Sequence, residues 1–451
     1  MTETTTIARD RLRDKLTESM NAAILARTAR DVHVPRVPGK ALAVVGVRRG
    51  GKTSFLHRRM AEHIAAGRSR ESQLLLELED ERLAGLTAAD VGWIVEEHAR
   101  RYPHVRPGDG GGAGTSHSRL CLYLDEVQVV PQWETLVHRL LAVGDVEIFV
   151  SGSSAKLLSR EVATSLRGRA MEVLVHPFSF REVLRHAGTE PDRPWVQLAT
   201  ADRAALDHAL QRYLAVGGFP EAQRADAIDR ADLLTGYVDT MVLRDVIERH
   251  GVSNVRALRW LQRHLLATPA GNVSVNKLYD DLRSQGVGVG KDTVHAYVGH
   301  LEDAFLLRSI TMHSSSERQR MSNPRKVYPV DPGLITIYER AGRTHRGRAL
   351  ETVVLLELER RRYAVDWYRT SEGWEVDFFA TRADTTPLLV QVCLDSAADA
   401  TWEREVRALA SAAAAQPDAD AVLVTLDPTP PQRELPAGLQ WMPAARWLLE
   451  P

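Results

Sequence analysis

The segment from Ala41 to about Ala66 constrains the fold most. Five apolar residues, ALAVV, run into the octet Gly46-Val47-Arg48-Arg49-Gly50-Gly51-Lys52-Thr53, and helical periodicity follows at once. The octet fits G-x-x-x-x-G-K-[ST], in the strand-before, helix-after setting that gives the pattern its meaning. Its glycines let the backbone fold into a concave nest whose N–H groups face phosphate oxygens, and the helix N-terminus adds positive potential. Lys52 is placed to neutralise β- and γ-phosphate oxygens and the Thr53 hydroxyl to bind magnesium. Arg49 and Ser54 complete the nucleotide-binding set with Gly46, Gly50 and Gly51. A second element removes a chance match: in LCLYLDEVQ an apolar run delivers Asp125 and Glu126 to the C-terminal end of a strand, where ligands sit in parallel sheets. Asp125 would hold magnesium through water and Glu126 would polarise the attacking water. The expected ligands are ATP and Mg2+.

Further strands are expected at Leu74–Leu78 and Val146–Val150, alternating with helices, which predicts a P-loop parallel sheet of the α/β class. Residues Pro107 to Ser116, PGDGGGAGTS, read as an exposed loop. The strand Val146–Val150 runs into Ser151-Gly152-Ser153-Ser154, where a hydroxyl can reach the γ-phosphate or simply cap a helix. Leu166-Arg167-Gly168-Arg169 offers either an arginine finger or ordinary surface charge.

With these motifs in order, the chain resembles a large prokaryotic group, AAA-type ATPases of the archaeal-ATPase kind fused to a C-terminal domain of unknown function. GVRRGGKT, LELEDERL, YLDEVQ, VSGSSAKLLSRE, LRGR and YLAVGGFPEA carry the resemblance, which spans about Pro38 to Leu426. It implies a sensor role for Ser153, an arginine-finger role for Arg169, and structural or domain-coupling roles for Gly217, Gly218 and Pro220. A finger acting across a subunit boundary would make the chain a homo-oligomer.

The length of 451 residues allows about three domains. The expected division is an ATPase core over 1–179, a helical lid over 180–270, a winged helix over 271–340 and a C-terminal module over 341–451. A net charge of -1 excludes bulk electrostatic binding of nucleic acid, so any basic surface must be local. One such surface follows Asn276–Gln285 and the expected recognition helix Lys291–Phe305. Arg318, Arg320, Arg325 and Lys326 make a basic hairpin that could lie along DNA phosphates, with Lys291 presented to the major groove.

The last module has the element order of a PD-(D/E)XK nuclease core. Glu351 lies on its first helix, Asp377 on a central strand, and Gln391-Val392-Cys393 falls where (D/E/Q)-x-K belongs. Cys393 replaces the lysine, and no lysine follows Lys326 anywhere in the chain. Arg404 is the candidate substitute, although a guanidinium transfers protons poorly. The module is therefore expected to be a catalytically degenerate, DNA-associated fold. The alternatives are an ATP-dependent nuclease and a nucleotide switch that recruits proteins. Cys121 and Cys393 sit in apolar runs and read as core residues. No apolar run is long enough to span a membrane, and the polar N-terminus lacks a signal-peptide core, so the cytoplasm is expected.

Overall fold

The computed structural model describes residues 3–25, 27–105, 119–144, 146–152, 168–322, 324–339, 346–394, 399–431 and 433–450. The expected loop at 107–116 and Ser153 lie outside them. The chain divides into two compact units, Met1–His176 and Pro177–Pro451.

The first unit is built on β1 (Ala41–Val45), β2 (Gln73–Glu77), β3 (Leu120–Asp125), β4 (Val146–Ser151) and β5 (Ala170–Leu174). All are parallel, in the order β2-β3-β4-β1-β5. Every residue of β1 and β3 is buried. That is why these strands read as unbroken apolar runs rather than alternating ones, as expected for a sheet covered on both faces. Helices α1 (Glu3–Asn21), α2 (Lys52–Ala65), α3 (Ala88–Arg101) and α4 (Trp133–Val143) accompany the sheet. Strand β5 is an edge strand whose exposed Glu172 breaks the apolar run and hides it in the sequence.

The second unit begins with α5 (Phe180–Ala187), α6 (Thr200–Val216) and α7 (Ala227–Thr240), the last continuing into a π-helix over Met241–Glu248. Next come α8 (Val255–Ala267), β6 (Gly271–Val273), α9 (Val275–Ser284), α10 (Lys291–Asp303), β7 (Leu307–Ile310), α11 (Glu317–Ser322) and β8 (Arg325–Pro329). The three strands form an antiparallel sheet in the order β6-β8-β7. After α12 (Gly333–Tyr338) and α13 (Arg346–Arg360) the chain adds β9 (Ala364–Arg369), β10 (Glu375–Thr381), β11 (Leu388–Cys393), α14 (Asp399–Ala415), β12 (Asp420–Thr425), β13 (Leu439–Pro443) and α15 (Ala444–Leu449). These strands make a mixed sheet in the order β13-β12-β11-β10-β9. A shared apolar cluster joins α5, α6, α13 and this sheet through Phe180, Tyr213, Leu350, Phe378 and Trp447.

The Gly-Gly-Phe-Pro turn is fixed by a buried carboxylate far along the chain. Asp331 accepts the Gly218 N–H at 2.6 Å and the Gly333 N–H at 2.9 Å. Gly217 has φ 79°, and a side chain there would meet the Asp331 carboxylate 1.8 Å from its Cβ. Burial pushes the Asp331 carboxyl up, to about 7, against the two N–H bonds. Replacing Asp331 by Ala strands two buried N–H groups at about 1–3 kcal/mol each. Urea unfolding of Asp331→Ala should therefore show a loss of about 2–6 kcal/mol, with Thr336→Ala on the surface of α12 as the near-neutral control. A wild-type midpoint for Asp331→Ala would remove the carboxylate from its structural role.

Candidate functional site

The loop between β1 and α2 has the backbone that its glycines suggest. Gly46 takes φ 143° as the chain leaves β1, and a Cβ there would lie 2.1 Å from the Val175 carbonyl oxygen. Arg49 at the exposed tip has φ 64°, and Gly51, the N-cap of α2, has φ 100°. The Lys52 side chain is buried, and its ammonium donates to the carbonyls of Gly46 and Val47, each at 3.2 Å. It is thereby held beside the nest. Arg30, from the segment before β1, donates to the Gly50 carbonyl at 3.2 Å and to the His176 carbonyl, bracing the loop from behind.

The acidic pair meets this loop across β4. Asp125 ends β3, and the Thr53 hydroxyl donates to its Oδ2 at 2.7 Å. The Ser151 hydroxyl, at the end of β4, donates to Asp125 Oδ1 and accepts the Glu126 N–H at 3.2 Å. Because β4 lies between β1 and β3, its last side chain falls between the octet and the acids. Burial pushes the Asp125 carboxyl up, while the Ser151 and Thr53 hydroxyls pull it down; the net shift is upward. Glu126 adopts φ 53°, which turns it out of the strand, and its carboxylate accepts from Gln128. The adjacent Thr53 and Asp125 oxygens suit a hard divalent cation.

A second polar cluster lies in the C-terminal half. Lys326 is 3% exposed, not a free hairpin cation. Its Nζ stands 2.8 Å from Glu375 Oε1, 3.2 Å from Asp377 Oδ1 and 3.5 Å from Glu351 Oε1. Tyr328, two residues on and therefore on the same face of β8, donates to Glu351 Oε1 at 2.7 Å. Burial works against the ammonium, but Asp377, Glu351 and Glu375 outweigh it and raise its pKa. Burial, then Asp377, raises that of Glu351. Gln391 Oε1 accepts the Asp377 N–H at 3.2 Å, and its Nε2 donates to Asp377 Oδ2 at 3.1 Å and to Glu405. The structure thus brings Glu351, Asp377 and Gln391 into one cluster around Lys326. It leaves Cys393 in the apolar core.

Two expectations need correction. Lys326 cannot lie along phosphates, because every residue of β8 from Lys326 to Pro329 is buried and its ammonium is held among three carboxylates. Arg404 does not substitute for a lysine: it is exposed and pairs with Glu405 at 2.5 Å. Of the other basic residues, Arg320 lies 3.8 Å from Asp366, Arg318 is exposed, Arg325 is half-buried, and Lys291 is exposed with its ammonium on Asn276.

Comparison with known proteins decides the class of the nucleotide cradle. Residues 38–184 match the family described as an AAA domain. The chain carries an AAA domain. Residues 207–343 match a domain of unknown function. An uncharacterised protein of Methanocaldococcus jannaschii is 29% identical over 383 residues, 84% of this chain and 80% of that protein. An uncharacterised protein of Haemophilus influenzae is 30% identical over 282 residues, 62% of this chain and 67% of that protein, and the chain belongs to one family with it. Among solved structures, the Walker-type ATPase of Pyrococcus abyssi is 14% identical, with 75% of this chain and 96% of that chain covered and a TM-score of 0.41. The ORC1 protein of Aeropyrum pernix, in complex with DNA, is 16% identical, with 75% and 92% covered and a TM-score of 0.26. No helix among the described residues is long and apolar enough to cross a membrane.

Within the AAA domain, Arg169 lies at the opposite end of the sheet from the octet. It is exposed, its carbonyl accepts the Ala41 N–H at 2.8 Å, and β5 runs parallel to β1 from there. The full length of β1, roughly 15 Å at 3.3 Å per residue, separates it from the octet. The sequence offers Ser151, Ser153 and Ser154 together and the family resemblance implies Ser153, whereas Ser151 is the one that ends the strand beside β3 and reaches Asp125. Sequence reasoning passed over Arg30, which no local pattern marks. Ser151→Ala should leave ATP binding intact but raise the magnesium concentration for half-maximal turnover several-fold, because Asp125 loses a charge-assisted bond that positions it. A magnesium titration of ATPase rate checks this; an unchanged titration would make Ser151 a packing residue only.

Proposed function

We propose that this AAA protein hydrolyses ATP with magnesium in the cradle of Gly46 to Thr53, and that its second unit associates with DNA. The observation that carries the first part is the chain of contacts from Thr53 to Asp125 to Ser151 to Glu126, beside a buried, pre-positioned Lys52. On ATP binding, the Lys52 ammonium exchanges two loop carbonyls for β- and γ-phosphate oxygens, and the loop N–H groups receive the rest of the charge. Thr53 and Asp125 would hold a magnesium ion, which when bound would supply Lewis-acid stabilisation of the transferred phosphoryl group. Glu126, turned out of the strand, orients the attacking water. Ser153 serves as sensor. Arg169, too far from its own octet, acts as the finger of a neighbouring copy.

Three variants separate these roles. Lys52→Ala should lose ATP binding. Glu126→Gln should bind ATP while turnover falls by about 100-fold or more, the scale of a lost general base. Arg169→Ala should lower kcat by about 1,000-fold with little change in ATP affinity, and mixing it with Lys52→Ala protein should restore some activity. Unchanged turnover in Lys52→Ala would overturn the assignment of the cradle.

For the second unit, the order α8-β6-α9-α10-β7-α11-β8, with the short helix α11 between the last two strands, and the sheet β6-β8-β7 support a winged helix. The exposed Arg318 and half-buried Arg325 support DNA phosphate contact, and Lys291, at the exposed start of α10, supports presentation to the major groove. The C-terminal module reads as a PD-(D/E)XK-like fold that does not cut DNA. A divalent ion does not fit its carboxylates: the Lys326 ammonium stands among them, the Gln391 carbonyl oxygen is taken by the Asp377 N–H, and the lysine position is the buried Cys393. Lys326 is their internal counter-ion. The competing reading, an ATP-dependent nuclease, is favoured by one observation, that Lys326 places a lysine among the acids. If the chain binds no DNA at all, the protein-recruiting switch takes over.

Lys326→Met leaves three carboxylates without a cation and should cost about 3–5 kcal/mol, as breaking a buried pair does. Manganese should raise the melting temperature of this variant and leave that of the wild type unchanged. Cleavage of linear or branched DNA by the wild type, lost in Asp377→Ala but retained in Lys52→Ala, would instead establish a nuclease.

A further inference from the structure

Helix α8 is buried on one side through Leu258, Leu261 and Leu265, which are fully inaccessible. Its other side carries Arg256, Arg259, Trp260, Arg263 and His264 at the 3–4-residue spacing that puts them on one face. That face opens on a cavity of about 750 Å3, also lined by Glu339. The volume falls within the range of built ligand pockets. None of these side chains belongs to the recognition helix, the basic hairpin or the carboxylate cluster.

The aromatic geometry points to a flat ligand. The Trp260 and His264 rings lie 4.8 Å apart and 8° from coplanar, a stacked pair on the cavity wall. Trp260 is half-buried, although the opposite face of the helix already supplies the core, so its indole is not needed for packing there. Burial lowers the His264 pKa and so disfavours a charge on the imidazole beside Trp260. Cations flank this pair. Arg256 and Arg263 are exposed on either side of Trp260 and, at 1.5 Å rise per residue, are separated by about 10 Å along the axis. Arg259, between them, is held by Asp239 at 2.5 Å. Glu339 is the acid of the wall, so the lining is cationic on balance.

We propose that this cavity binds single-stranded DNA. An unpaired base stacks on Trp260, and the phosphates before and after it meet Arg256 and Arg263. A cationic groove with an aromatic platform is the general solution for unpaired strands, since every base has a stacking face. A duplex offers none, its bases being already stacked and set within grooves. The proposal rests on the DNA association set out above, and adds the form of DNA and the surface that takes it.

The test uses the full chain and fluorescence anisotropy of a labelled oligothymidine and of a labelled duplex, over a range of salt concentrations. Trp260→Ala should weaken oligothymidine binding by about 10-fold, and Trp260→Phe, which keeps an aromatic face, should retain most of it. Arg263→Gln should weaken it and reduce the magnitude of the salt slope by about one. Duplex binding should change little in all three variants, and their melting temperatures should stay near the wild type, as α8 keeps its buried face. Oligothymidine binding that is unchanged in Trp260→Ala, or that falls equally in Trp260→Phe, overturns the proposal. A wild type that binds duplex but not oligothymidine overturns it while leaving DNA association standing. Binding of neither removes both.

Discussion

The carboxylate of Asp125 is the point on which the nucleotide site depends. It is buried at the end of a central strand, where an unpartnered charge would be costly. The hydroxyls of Thr53 and Ser151 and the nearby Lys52 offset that cost. The partners come from two elements: Lys52 and Thr53 from the start of α2, where the octet ends, and Ser151 from the end of β4. The parallel order β3-β4-β1 is what lets these ends converge on one side of the sheet. Reversing any of those strands would scatter them.

The second unit follows the same rule with opposite polarity. There a buried ammonium, Lys326, is surrounded by carboxylates from α13 and β10, with Gln391 and Tyr328 filling the remaining hydrogen bonds. The network is closed from within the chain. It joins β8 of the small antiparallel sheet to the C-terminal sheet, as does the bridge between Met312 and Trp367. A second buried carboxylate, Asp331, ties the glycine turn before α7 to the start of α12. Two buried ionic hubs therefore tie the helical, small-sheet and C-terminal parts into one compact unit.

The nucleotide cradle was legible because its chemistry is local. Octet, strand and acidic pair each occupy a few consecutive residues, and the run of buried apolar residues in β1 and β3 announces a covered parallel sheet. Ser151 was obscured because three serines within four residues compete for one role, and only strand register selects among them. Lys326 was misread for a different reason. Charge and neighbouring arginines mark it as surface, and the acids that bury it lie 25 to 51 residues further on, on elements brought together only by tertiary folding. Strands β5 and β13 were missed because their exposed polar residues break the apolar pattern, and the π-helix because its sequence continues the period of α7. The carboxylates of the C-terminal module were found by element order, but order alone did not show that their counter-ion precedes them in the chain.

The central claim is that the AAA domain turns over ATP through a magnesium ion positioned by Thr53 and Asp125. Phosphate release from ATP by the purified chain, measured with magnesium present and again with it chelated, tests this most directly. The account predicts steady release that stops on chelation while ATP remains bound through Lys52 and the loop N–H groups. Release at the same rate without magnesium, or no release while ATP is bound with the metal present, would contradict it.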